Sequence, residues 1–459
     1  MFDLAAVQAA IRDQGVDGWL LYDFRGLNVL ARRIVGIAED AHATRRWFYF
    51  VPANGEPKKL VHRIEPAVLD HLPGQATRYL KWQGLEAGVQ ALVFGCNRIA
   101  MEYVPRNANP YVSRVDGGTI ELVKSFGLEI VSSGDLIQAF EATWDDEQWA
   151  MHQEAAQHTR SAYDVAFSFI GERIAAKGQV METEVQARIM KHFAEHGLVT
   201  DHPPIVGVGP HSGDPHYAPG PGSDAPIKRG DFVLIDLWAK LNRPWAVYSD
   251  LTRVAFVGEE VPEKYAQVFN VVAAARDAGI DCVKRAYAEG RPLQGWEVDQ
   301  ATRDVIERAG HGSDFVHRTG HSIGQETHGN GANMDNLETR EERRVMRRTC
   351  FSIEPGIYLP EFGVRSEVNV FVDKDGQVHV TGGEPQPAIH RIKVEAAPAK
   401  PPAKRPVAAP PPPERPKPKK RMPVAARKVA AAKKSKQRAK VAARKAVAAK
   451  KSKRPARRR

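Results

Sequence analysis

Phe232-Val233-Leu234-Ile235-Asp236-Leu237-Trp238 is an apolar run with a single carboxylate inside it. Its length and composition read as a β-strand, with Asp236 in its middle. A buried carboxylate without a partner costs several kcal/mol, so Asp236 requires a strong one.

Three further carboxylates lie in similar surroundings. Asp250 stands in Tyr248-Ser249-Asp250-Leu251-Thr252-Arg253, just before another apolar run. Glu354 stands in Cys350-Phe351-Ser352-Ile353-Glu354-Pro355-Gly356. Glu367 stands in Val364-Arg365-Ser366-Glu367-Val368-Asn369-Val370, where a strand's two-residue period puts Arg365 and Glu367 on one face and the valines on the other. His317, His321 and His328 cluster in a stretch interrupted by Gly320 and Gly324, and these glycines weaken a helical pairing of His317 with His321. Taken singly, a buried Asp or Glu is more often an ion-pair partner, and a lone His a hydrogen-bonded core residue. As a set, four carboxylates and one imidazole are too acidic to stand without cations, and two divalent ions nearly balance them. Oxygen-rich ligands with one imidazole suit Mn²⁺, Co²⁺, Zn²⁺ or Fe²⁺. Two such ions about 3.5–4 Å apart activate a water and hold a substrate oxygen.

The ordered series Asp236, Asp250, His321, Glu354, Glu367 resembles the ligand series of the pita-bread metallopeptidases, the creatinase and methionine aminopeptidase family. The resemblance runs from about residue 145 to 393 and implies two divalent metal ions, Mn²⁺ first, with Co²⁺ or Zn²⁺ as alternatives. Pro215-His216-Tyr217, His317, His328 and Arg365 resemble the extra residues of Xaa-Pro aminopeptidases and Xaa-Pro dipeptidases. That similarity implies an exopeptidase cleaving the Xaa-Pro bond, with peptide substrates carrying proline second, and a homodimer. It also implies Glu354 as proton shuttle, His317 and His328 on the oxyanion and substrate backbone, His216 in the proline pocket, and Arg365 orienting Glu367 or a substrate carboxylate. Asp236 and Asp250 are farther apart than is usual in the family, and Lys240–Pro244 reads as an insertion. The competing reading is a catalytically altered pita-bread protein that serves as a binding module.

Working outward, Leu4, Val7 and Ile11 mark an amphipathic helix over residues 3–14. Trp19–Tyr22, Trp47–Val51 and Ala91–Phe94 read as strands with helices between them. An α/β (α+β) chain follows: a creatinase-like N-terminal α/β domain over 1–144, a pita-bread domain over 145–393, and a tail over 394–459. A long helix is expected from Asp145-Asp146-Glu147 to about Ile174, its acidic start suiting the positive end of the helix dipole.

The formal charge of +11 hides a division: residues 395–459 hold 24 Lys or Arg against two Glu, a net of +22, which leaves the preceding body at −11. The tail, rich in Ala, Lys and Pro, lacks the apolar bulk to offset ordering entropy and reads as disordered, with non-specific nucleic-acid binding through residues 400–459 as one use. Cys96, Cys282 and Cys350 are sparse and unpaired in spacing, which fits a reducing, cytoplasmic setting. No apolar run is long enough to span a membrane, and the N-terminus has neither the basic nor the apolar region of a secretion signal.

Overall fold

The computed structural model describes residues 2–38 and 40–394. The basic tail lies outside the described residues. The first sheet has six strands in the order Gln75–Tyr79, Lys58–His62, Trp47–Pro52, Gly18–Asp23, Arg98–Met101, Glu129–Ser132. Trp19 and Leu21 pack on one face with the helix Leu4–Gln14, and Leu20 and Tyr22 on the other with the helix Trp82–Leu92. Covering both faces is why Trp19–Tyr22 is apolar without alternation. The strand expected at Ala91–Phe94 is instead the end of the Trp82–Leu92 helix. Leu85, Val89 and Leu92 bury one helical face, whereas Phe94 is exposed. A four-residue apolar run does not distinguish the two periods; the longer spacing does.

The long helix spans Asp146–Lys177, and Asp145 caps it reciprocally with Gln148. After it, the chain twice lays a helix pair against antiparallel strands. Helices Asp146–Lys177 and Glu182–Glu195 pack on the hairpin of Phe232–Leu241 with Ser249–Phe256. Helices Glu263–Ala288 and Gly295–Arg308 pack on a second sheet ordered Ser322–Ile323, Cys350–Ile353, Val368–Val372, Val378–Thr381. Lys240 and Leu241, read as part of an insertion, continue the strand Phe232–Leu241 against Val199 and Leu198, and the turn beyond them carries Trp245 at φ +64°. The alternation expected through Val364–Val370 breaks at Ser366-Glu367. Gly363–Arg365 pairs with Gly356–Tyr358, and Val368–Val372 joins the second sheet. Among the described residues, no helix is long and apolar enough to cross a membrane.

Candidate functional site

In the hairpin register, Asp236 lies opposite Thr252, and Trp238 opposite Asp250. Directly paired residues share a face, so Asp236 and Asp250 are diagonal neighbours on it. Asn369, from the second sheet, clamps the backbone of Asp250: its Oδ1 accepts from Asp250 N at 3.0 Å and its Nδ2 donates to Asp250 O at 2.5 Å. That clamp sets the two sheets edge against edge at the carboxylates. Gly320 passes so close to the next strand that a Cβ there would sit 1.9 Å from Ser352 O, so only glycine fits. This approach places His321 beside Glu354. Ser352 Oγ accepts from His321 N at 2.9 Å and donates to Glu354 Oε1 at 3.0 Å.

The result is a tight acidic cluster. His321 Nδ1 faces Ser322 O at 3.1 Å, which leaves Nε2 3.3 Å from Glu354 Oε1 and 3.5 Å from Asp250 Oδ2. Ligand atoms of Asp250, His321 and Glu367 all lie within 4.8 Å of one another. Asp236 Oδ1 and Glu367 Oε1 are buried and meet no hydrogen-bond donor among the described residues. Burial, then the neighbouring charge of Glu354, pushes Asp250 well above the usual carboxylate range. Burial likewise raises Glu367, reinforced by Asp250, Glu354 and Asp236. Asp236 is raised by burial to about 7 even though the Arg365 cation pulls it down. Burial also works against the charge of Glu354, but His321, His317 and Arg365 outweigh it and hold the carboxyl below its ordinary value. Protein groups alone therefore leave this cluster under-compensated, and its open carboxylate oxygens have the chemistry of hard-cation ligands.

The other expected residues fall into two groups. Arg365 is buried, donates to Asp236 and, from Nη1, to the Tyr358 hydroxyl at 2.8 Å, and lies 3.9 Å from Glu354 Oε2. It does not touch Glu367. That carboxylate accepts from Thr252 Oγ1 at 2.8 Å, and Thr252 in turn accepts from Arg365 Nε at 3.1 Å. His317 has both ring nitrogens engaged, Nδ1 at Arg318 O and Nε2 at the Tyr358 hydroxyl, each at 2.7 Å. Tyr358 accepts from Arg365, so its proton points to His317 Nε2. The neutral ring that results matches the fall of His317 to about 4 on burial. His328 and His216, in contrast, are exposed at the cavity. The His328 ring stands edge-on to His321, with centroids 4.4 Å apart.

The cluster, with His216, His317, His328 and Arg365, lines a cavity of about 760 Å³. Thr252 and Tyr358 were missed in the sequence, although Thr252 lies inside a motif that was read. Asp201 also lines the cavity, where it accepts from Trp238 Nε1 at 2.6 Å. Nothing in its local sequence marks it, since the pairing depends on a distant strand.

Fold and site together are similar to those of the pita-bread metallopeptidases. Residues 150–374 match the family model Metallopeptidase family M24, and the chain carries a Peptidase M24 domain. It is 29% identical over 225 residues to the Xaa-Pro dipeptidase of Lactobacillus delbrueckii subsp. lactis, covering 49% of this chain and 55% of that one. The chain spans 64%, 55% and 49% of the length of three curated relatives it matches. Among solved structures, dipeptidase PepE from Mycobacterium ulcerans superposes with a TM-score of 0.58 at 23% identity, over 85% of this chain and 97% of that one. An Xaa-Pro dipeptidase from Bacillus anthracis gives 0.51 at 23% identity, over 84% and 98%. At such identities these two show a shared mixed α/β fold.

Proposed function

We propose that this chain is a two-metal exopeptidase that hydrolyses the Xaa-Pro bond, in dipeptides or at the N-terminus of longer peptides. The observation that carries the reading is the cluster itself: four carboxylates and an imidazole on one cavity, with two buried carboxylate oxygens open. Asp236, Asp250, His321, Glu354 and Glu367 would hold two divalent ions. Mn²⁺ is the proposed metal, and Co²⁺ or Zn²⁺ are the alternatives. Bound there, such ions supply an activated water and polarise the scissile carbonyl.

The chain's own groups carry the protons. Glu354, near the Arg365 cation at 3.9 Å and steadied by the Ser352 hydroxyl, takes the proton of the attacking water and returns it to the proline nitrogen. His328, whose ring reaches the cavity, donates to the carbonyl oxygen as its charge develops. His317 acts as a positioning residue: with its nitrogens engaged, it holds Tyr358, and Tyr358 holds Arg365 on Asp236. His216, beside Pro215 at the cavity, lines the proline side. The name of the Lactobacillus relative and the histidines outside the cluster support the Xaa-Pro assignment. A homodimer belongs to the same proposal, and light scattering checks it.

The test is hydrolysis of Gly-Pro and Gly-Pro-Ala with Mn²⁺, expected to stop on chelation. Glu354→Gln is expected to lower kcat by about 10²–10⁴-fold. Full turnover by that variant with metal bound would remove the shuttle role. No cleavage with Mn²⁺, Co²⁺ or Zn²⁺ would sink the peptidase reading.

A further inference from the structure

His328 reaches the cavity, and its ring has no hydrogen-bond partner among the described residues; the ring it touches is that of His321. No polar contact on the side chain fixes it, so its place follows from where the backbone delivers it. The chain between the two histidines leaves the strand Ser322–Ile323 and returns beside it at Gly329.

The return is fastened at one residue. Ser322 O accepts from Gly329 N at 2.7 Å, and the same carbonyl faces His321 Nδ1 at 3.1 Å. Ser322 Oγ accepts from Gly331 N at 2.9 Å, and Ser322 N donates to Asn333 Oδ1 at 3.1 Å. Ser322 is 1% exposed, so water does not compete for these bonds, and losing one strands a buried donor. The close approach requires glycine on the returning segment. A Cβ on Gly331 would sit 2.6 Å from Ser322 Oγ, and one on Gly329 3.0 Å from it.

The outer side of that segment is held by the helix Gly134–Glu141. Gln138, buried in it, accepts from Ala332 N at 3.0 Å and donates to Arg344 O at 2.9 Å. Glu141 accepts from Asn330 Nδ2 at 3.1 Å. Residues 329–332 are gripped between Ser322 and this helix, and His328 is the last residue before the grip.

We infer that Ser322 is a positioning residue: its hydroxyl, accepting from Gly331, holds His328 against His321, where the His328 ring meets the charge developing on the scissile carbonyl. The inference rests on the peptidase reading above. Both ring placements then hang from one residue, that of His321 through the Ser322 carbonyl and that of His328 through carbonyl and hydroxyl together. Misplacing a reacting group by about 1 Å costs about 10²-fold in rate.

The experiment compares Ser322→Ala, His328→Gln and the double variant on Gly-Pro in the full Mn²⁺-loaded chain. It also follows hydrogen–deuterium exchange at residues 328–332, and Mn²⁺ affinity, in metal-free protein. Ser322→Ala should lower kcat by about 10- to 100-fold with little change in KM, because orientation is lost and binding is not. In the His328→Gln background the same change should cost less than about 2-fold, since the two residues act as one unit. Gly329 and Gly331 should exchange faster in Ser322→Ala, at unchanged Mn²⁺ affinity. Equal losses of kcat in both backgrounds, or a loss that follows weakened Mn²⁺ binding, overturn the inference, because Ser322 would then act on the cluster instead. Unchanged kcat or unchanged exchange in Ser322→Ala overturns it as well. A wild-type chain that cleaves no Gly-Pro overturns the peptidase reading, and the exchange data then decide by themselves whether Ser322 holds the segment.

Discussion

Thr252 carries no charge and is not among the five converging residues, yet its hydroxyl joins two parts of the site. It donates to Glu367 Oε2 at 2.8 Å and accepts from Arg365 Nε at 3.1 Å. Groups that orient a metal ligand commonly set its affinity, by about 10–100-fold. Thr252→Val keeps the shape and removes the donor. Calorimetric titration of the chelated protein with Mn²⁺ should then show affinity weaker by about that factor. An unchanged affinity would mean that Glu367 orients itself. At this scale the sequence was informative about the acids and silent about what aims them. A buried carboxylate in an apolar run is visible because it is costly. A threonine in a strand costs nothing, so it leaves no trace.

Loop Gly209–Ala225, which carries His216, is held from beneath by one buried carboxylate. Glu182, at the start of helix Glu182–Glu195, accepts from Val208 N at 2.8 Å and Ala225 N at 2.9 Å, and from the Tyr217 hydroxyl at 2.6 Å. His211 Nδ1 stands 2.9 Å from the same group. Removing it strands several buried donors together, each costing about 1–3 kcal/mol. Glu182→Ala should lower stability to urea by at least about 3 kcal/mol and speed proteolytic nicking between residues 209 and 225. Equal midpoints and equal nicking would show that the loop is held by other contacts. Element boundaries followed the same logic of visible and invisible costs. The acidic run Asp145-Asp146-Glu147 made the start of the long helix legible, and the structure adds the reciprocal cap of Asp145 with Gln148. The break at Ser366-Glu367 was not, because local alternation continues across a point where the chain changes partners.

His152 ties the two halves of the pita-bread region together. Its Nδ1 meets Tyr248 O at 2.8 Å on the hairpin side, and its Nε2 meets Thr381 Oγ1 at 2.6 Å on the second sheet. Trp144 and Trp149 enclose it, with ring centroids 5.1 and 5.8 Å away. Burial lowers His152 from its ordinary 6.5 to about 4. The unfolded chain therefore takes up a proton between these values that the folded chain refuses. The stabilisation is complete above pH 6.5, shrinks as pH falls, and is gone below about 4. Its full size is ~3 kcal/mol. Urea unfolding of metal-free protein between pH 7 and 4 should show a steeper loss for wild type than for His152→Gln. Parallel curves would contradict the assignment.

The sequence by itself determined the α/β character and singled out the acids and the histidine that converge, because buried charge, helix-end charge and hydrophobic period are local and leave marks where they stand. Tertiary structure alone decided which groups meet. It put Thr252 under Glu367, Tyr358 between His317 and Arg365, and Tyr111 against Arg318. Such pairings join residues from 7 to 207 positions apart, and Thr252, Tyr358 and Tyr111 are chemically unremarkable until the fold closes around them.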